Sequence, residues 1–153
     1  MPAPIIRPAL EREYDAVARV WMESWVSTGL AEASNFLLAG LRARVRQEID
    51  GGWSLFVVDD GGKLAAMLAL HLPDRYLDQL FVAPEYQGKG IGRQLLAFTR
   101  EQLPDEIWLR CVRENEKAWR WYEREGFVYE KEEVAIATGF MMRYYRWKKE
   151  AVQ

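Results

Sequence analysis

The sequence has a single cysteine, Cys111, and a single histidine, His71. One thiol makes no internal disulfide, and one imidazole leaves a His-rich metal site out of reach, so no metal is expected. No apolar run approaches the roughly 20 residues that a membrane helix needs. Charge of one sign is also lacking: 21 basic against 23 acidic residues leave a net −2, too little to draw in nucleic acid or an anionic membrane. Low-complexity stretches, internal repeats and Pro/Gly-rich linkers are missing, which points to one domain over residues 1–153. Met1 to Glu13 has no basic segment followed by an apolar one, so no signal peptide is expected. What is present is a chain 50% hydrophobic and 13% aromatic. That supports a core burying about 70% of the unfolded surface. A reduced, cytoplasmic, soluble domain is the expectation.

Periodicity divides the chain into short alternating elements. Pro4 to Leu10 reads as a strand. Glu11 to Ser27 spaces Val17, Val20, Trp21, Ser24 and Trp25 for a helix with one buried face, broken at Gly29. Glu32 to Asp50 repeats the pattern with Phe36, Leu37, Leu41, Val45 and Ile49, and Gly51-Gly52 ends it. Strands over Trp53–Asp59 and Lys63–Leu72 flank Asp60-Gly61-Gly62, whose residues suit the positive φ angles of a tight hairpin. After the turn at Pro73-Asp74, Arg75 to Ala83 is a strand, Gly88 to Leu103 a helix, Glu106 to Arg113 a strand and Asn115 to Glu125 a helix stopped by Gly126. Phe127 to Ile136 and Phe140 to Lys148 are two closing strands around Thr138-Gly139. The order β-α-α-β-β-β-α-β-α-β-β predicts a mixed α/β (α+β) domain. Six or seven largely antiparallel strands would form its sheet, with about four helices against it.

Chemistry concentrates between Leu77 and Arg93. A strand runs into a loop with three glycines in five positions, Gly88, Gly90 and Gly92, and that loop opens a helix. Glycines let backbone N–H groups converge on one point, and a helix N-terminus adds partial positive charge, which together make an anion site suited to phosphate. Lys89 and Arg93 add formal charge. The loop lacks the Gly-Lys-Ser/Thr of a P-loop. It also misses the glycine spacing and the acidic partner of a dinucleotide fingerprint. A turn that is merely rich in glycine remains the plain alternative.

Gln87-Gly88-Lys89-Gly90-Ile91-Gly92 resembles the Gln/Arg-x-x-Gly-x-Gly/Ala signature of the GNAT superfamily of N-acetyltransferases. Asn115-Glu116-Lys117-Ala118-Trp119-Arg120-Trp121-Tyr122-Glu123-Arg124-Glu125-Gly126-Phe127 is similar to that family's Asn-x-x-Ala-x-x-x-Tyr-Glu-x-x-Gly-Phe motif. The resemblance implies an acetyl-CoA-dependent N-acetyltransferase acting by direct amine attack in a ternary complex. The alternative it leaves is a non-catalytic CoA-binding sensor or assembly module. Gln87, Gly88, Lys89, Gly90, Ile91, Gly92 and Arg93 would hold the pyrophosphate. Leu80 and Val82 would pair with the pantetheine arm, with a backbone N–H near Val82 polarising the thioester, while Glu106–Arg113 splays away. Asn115 would contact the same arm or simply cap its helix. Tyr122 falls where many members carry the acid that protonates the departing thiolate, its plain alternative being a core aromatic.

The proton on the acceptor amine has no obvious taker. Positions where relatives carry a glutamate hold Tyr76 and Arg110. Asp78 is the nearest carboxylate, expected by alternation on the face of Leu80 and Val82. His71 has a suitable intrinsic pKa, and a bound water is the third option. Trp21 and Trp25, one turn apart, are core residues or the floor of an acceptor pocket. Trp119 and Trp121 cannot share one helix face. Cys111 reads as a small buried hydrophobe, and the basic C-terminus (Arg143, Arg146, Lys148, Lys149) as a solvated face. The acceptor is a small-molecule amine or a peptide N-terminus, and a homodimer is open because members of the family often pair.

Overall fold

The structure, a computed structural model, describes residues 3–30 and 38–150. β1 (Ile5–Pro8) leads through a 3₁₀ turn into α1 (Tyr14–Ser27), and α2 (Leu38–Asp50) precedes the hairpin of β2 (Ser54–Asp60) and β3 (Lys63–His71). β4 (Tyr76–Val82), α3 (Ile91–Gln102) and β5 (Glu106–Val112) follow. α4 (Glu116–Arg124), β6 (Val128–Val134) and β7 (Met141–Lys148) complete the fold in the expected order. The start of the second predicted helix, with Glu32, Phe36 and Leu37, lies outside the described residues. α3 begins at Ile91 rather than Gly88, because Gly88 and Gly90 adopt φ of 79° and 84°, which a right-handed helix excludes. No helix among the described residues is long and apolar enough to cross a membrane.

Seven strands form one sheet in the order β1-β2-β3-β4-β5-β7-β6, antiparallel throughout except between β4 and β5. Helices pack on both faces. Met67 and Ala69 of β3 meet Val17 and Trp21 of α1 and Leu41 and Val45 of α2. Ala66, Leu68 and Leu70 turn the other way, toward Leu95 and Leu96 of α3 and Tyr122 of α4. Burial on both faces explains why β3 is apolar without interruption from Leu64 to Leu70 instead of alternating. Each fully buried leucine contributes about 1.5–3 kcal/mol.

In the pairing of β3 with β4, Ala69 meets Gln79 and Leu70 meets Leu77, so Asp78 is the extra residue of a bulge. Bulges sharpen local twist and re-aim side chains. This one sits just where β5 begins to leave β4.

The N-terminal strand is tied down by charge. Arg7 donates from both Nη atoms to Glu13 at 2.8 and 2.7 Å, and its Nε reaches Asp59 at 3.2 Å. Glu13 also accepts from the N–H of Leu10. These bonds, the arginine first, draw the Glu13 pKa down from 4.5 to about 2. A carboxylate with a depressed folded pKa lends its full stability above the unfolded value and loses it as pH falls through the folded one. The melting temperature should therefore fall between pH 4.5 and about 2. Glu13→Gln should flatten that part of the thermal profile; an unchanged slope would show that Glu13 does not set it.

Candidate functional site: a slot between two strands

β4 and β5 share one register pair, Tyr76 with Trp108, and then part. β5 instead pairs along its whole length with β7. Alternate residues of a strand bond to opposite neighbours. The N–H of Ala83 donates to Ala65 in β3 at 2.8 Å. Leu80 and Val82 therefore turn their backbone groups toward the side that β5 has vacated. The Val82 carbonyl accepts from Ser24 Oγ at 2.8 Å and Gln87 Nε2 at 3.0 Å, which leaves its N–H facing the gap. A cleft of about 190 Å³ occupies the slot. Asn115 and Tyr122 wall it on the α3–α4 side, while Trp21, Trp25 and Arg44 wall it on the α1–α2 side. The cleft thus connects the two faces of the sheet.

The glycine loop lies at the C-terminal end of β4. Among the described residues, the backbone N–H groups of 88–93 donate to no protein acceptor. The first bond of the new helix is made by Gln94 N–H to Gly90 O. Open space surrounds Gly88 and Gly90, so their positive φ, and not crowding, requires glycine. Gly92 differs: its φ is not positive, and an added Cβ there would lie 3.4 Å from Trp121 of α4, at ordinary contact distance. Ile91 points its side chain into the core and offers a ligand only its N–H. Lys89 lies over the Tyr86 ring at 5.4 Å, and Arg93 reaches Glu125 at 3.7 Å from an exposed position. Tyr86 is itself pinned through its hydroxyl to Asp60 at 2.7 Å.

Asn115 precedes α4 but makes no side-chain cap, so its amide is free toward the cleft. Tyr122 is buried with Phe127 and Trp121 against its ring. Among the described residues nothing hydrogen-bonds to its hydroxyl. Burial raises its pKa well above the ordinary value, with Cys111 adding to the effect, so the phenol stays protonated. Burial likewise pushes the Cys111 thiol up to about 12, which removes it as a nucleophile.

The bulge overturns one expectation. Leu77, Leu80 and Val82 face the α3–α4 core, whereas Asp78 turns to the opposite face. There Asp78 accepts from the Trp53 indole at 2.7 Å and from Gln79 at 3.2 Å, and His71 Nε2 stands 3.7 Å away. Strict alternation fails because the extra residue reverses the phase of the strand. The two base candidates, seven positions apart, are thus neighbours on the α1–α2 side. Glu48 joins them: one donor atom from each of Glu48, His71 and Asp78 lies within 4.8 Å of the others. A sequence with one histidine gave no hint of that trio. Tyr76 and Arg110, which occupy the places of the missing glutamates, are joined by a hydrogen bond from Arg110 Nε to the Tyr76 hydroxyl at 3.2 Å. Burial, with the Asp78 charge, raises the Tyr76 pKa. Trp21 and Trp25 are buried and also line the cleft. Trp119 and Trp121 are both half-buried.

Comparison with known proteins places this geometry. The model of the Acetyltransferase (GNAT) family matches residues 14–127. A curated relative named "Probable N-acetyltransferase Rv2775", from Mycobacterium tuberculosis, is 30% identical over 138 residues, covering 80% of this chain and 78% of that protein. The peptidyl-lysine N-acetyltransferase YiaC of Escherichia coli is 26% identical over 123 residues, 80% of this chain and 82% of that one. Among solved structures, the PaiA N-acetyltransferase of Thermoplasma acidophilum in complex with coenzyme A shares the fold with a TM-score of 0.67 at 20% identity. That match covers 97% of this chain and 100% of the other.

The glycines separate two roles by experiment. Gly92→Ala adds a methyl at ordinary contact distance and should leave the melting temperature nearly unchanged. Gly90→Ala forces a side chain to φ 84° and should cost about 1–2 kcal/mol, with weaker pyrophosphate binding measured by calorimetry. Equal behaviour of the two variants would contradict the assignment.

Proposed function

The chain belongs to the Acetyltransferase (GNAT) family, and on that premise we propose that it transfers the acetyl group of acetyl-CoA directly to a primary amine, with both substrates bound together. The observation that carries this is the row of unpaired amides at 88–93 beside a slot walled by the free side chains of Asn115 and Tyr122. Acetyl-CoA brings an acyl group activated as a thioester. The residues present suit it: the 88–93 amides, with Lys89 and Arg93 adding charge, hold the pyrophosphate at a helix N-terminus. Gln87 braces that loop against Val82. Leu80 and Val82 extend their backbone to the pantetheine arm as a strand would, and Asn115 adds an amide contact.

Val82 N–H supports the negative charge that gathers on the carbonyl oxygen during attack, as a preorganised donor. Tyr122 gives its proton to the departing thiolate. Proton removal from the acceptor falls to Asp78, with His71 behind it, or to a water these two hold. The need is real: an alkylammonium near pKa 10.4 is free base to about 1 part in 2,500 at pH 7, a handicap of about 4.6 kcal/mol. The acceptor is a small-molecule amine or a peptide N-terminus, bound from the α1–α2 side. No metal, nucleic acid or membrane takes part in this scheme. A cytoplasmic setting fits a free Cys111. The exposed Val128, Tyr129 and Val134 on edge strand β6 suit a homodimer.

Thiol release from acetyl-CoA across a panel of amines tests the proposal. Tyr122→Phe should lower kcat by about 10²–10⁴-fold with acetyl-CoA affinity within a few-fold. Lost affinity with unchanged kcat would remove the acid role. Cys111→Ala should retain turnover, since a covalent acetyl-cysteine has no thiolate to form from. Acetyl-CoA binding without turnover on any amine would favour the sensor alternative.

A further inference from the structure

Three half-buried arginines of this protein each hold two carboxylates. Arg7 binds Glu13 and Asp59, Arg143 binds Glu123 and Glu132, and Arg146 binds Glu106 and Glu130. Among the described residues Arg100 holds none and is spent instead on the Glu125 carbonyl and the Phe127 and Trp147 rings, away from the cleft, whereas Arg110 stands in the cleft wall. It is half-buried, yet among the described residues no carboxylate lies within ion-pair distance of it. Its neighbours are the hydroxyls of Tyr76 and Tyr144. The Tyr76 phenol keeps its proton, so it offers a dipole and no counter-charge. The nearest acidic wall residue, Asp78, is already engaged by Trp53 and Gln79. Arg44, the second cationic wall residue, is paired with Glu48 and lies over Trp21. The Arg110 charge is thus met by phenol dipoles and by no carboxylate in a partly desolvated slot, where the anion of a ligand would complete it.

The direction of Arg110 says which ligand. Ile107 and Leu109 point into the α3–α4 core, so by alternation Trp108 and Arg110 face the α1–α2 side, where the acceptor enters. The rings of Tyr76, Trp108 and Tyr144 stack in parallel on that face, 3.9 and 6.0 Å between successive centroids. With Nε held by Tyr76, this rail fixes the guanidinium and leaves its remaining N–H groups for a planar anion. Resting on the acetyltransferase reading, we propose that the acceptor is an amine that also bears a carboxylate, as free amino acids do, and that Arg110 receives that carboxylate. A polyamine would bring further positive charge against Arg110, and a neutral amine would leave it unpaired.

The test uses matched acceptors: an amino acid, its carboxamide, its decarboxylated amine, and a polyamine. With acetyl-CoA saturating, the wild type should favour the carboxylate by about ten- to a hundredfold in kcat/KM. Arg110→Gln should abolish that preference by raising KM for the carboxylate alone, and Arg110→Lys should restore part of it. Acetyl-CoA affinity and the melting temperature report that each variant is folded. Equal use of the acid and the amide, preference for the polyamine, or a ratio unmoved in Arg110→Gln would overturn the inference while leaving the acetyltransferase reading intact. Should no amine turn over, that reading fails separately. Calorimetry of N-acetyl amino acids against their N-acetyl amides on CoA-saturated protein then decides: selective binding of the acids, lost in Arg110→Gln, supports the anion site, and equal or absent binding sinks it.

Discussion

The molecule is organised around hydrogen bonds that two neighbouring strands do not make. β4 and β5 meet at Tyr76 and Trp108 and nowhere beyond. An unpaired backbone group removed from water costs about 1–3 kcal/mol, so a sheet parts only where something else is meant to complete it. The N–H groups that open at Leu80, Val82 and the α3 start are all of this kind. A ligand shaped like a strand with an anionic end meets both needs at once. The bulge at Asp78 and the full pairing of β5 with β7 hold the gap open.

Packing is arranged to keep that gap rigid on one side. Tyr122, Leu77, Leu109 and Tyr145 belong to one core that reaches beneath both parted strands. Gly92 of α3 lies against Trp121 of α4, and Tyr122 of that helix shares its core with Leu95 and Leu96 of α3. On the other face, the core of α1 and α2 reaches across β2 to β4 and leaves Trp108, Arg110 and Tyr144 beyond its edge. Two sides of one slot thus differ in character: apolar and supported beneath Tyr122, aromatic and charged around Arg110.

Local chemistry made much of this legible. Gly61-Gly62 marks the hairpin and takes φ of 63° and 98°. The glycine run marks the loop, and the spacing of Ala118 and Tyr122 puts both on the cleft-facing side of α4. What could not be read depends on register between distant segments. Asp78 seemed bound to the face of Leu80 because alternation has no means of anticipating an extra residue; only the pairing with β3 reveals it. Arg110 and Tyr76 stand 34 positions apart and meet solely because their strands are neighbours. Glu48 offered no signal at all, being one of two acids in the last turn of an amphipathic helix. The gap itself was foreseen through family resemblance and not from strand composition, since β5 is as apolar on its inner face as any paired strand.

Ser24 of α1 and Gln87 of the glycine loop donate to the same carbonyl oxygen, that of Val82. One atom therefore reports to both sides of the slot. The start of the glycine loop and the last turn of α1 are thereby anchored to the same peptide at the end of β4, and neither can be displaced without loosening the hold on it.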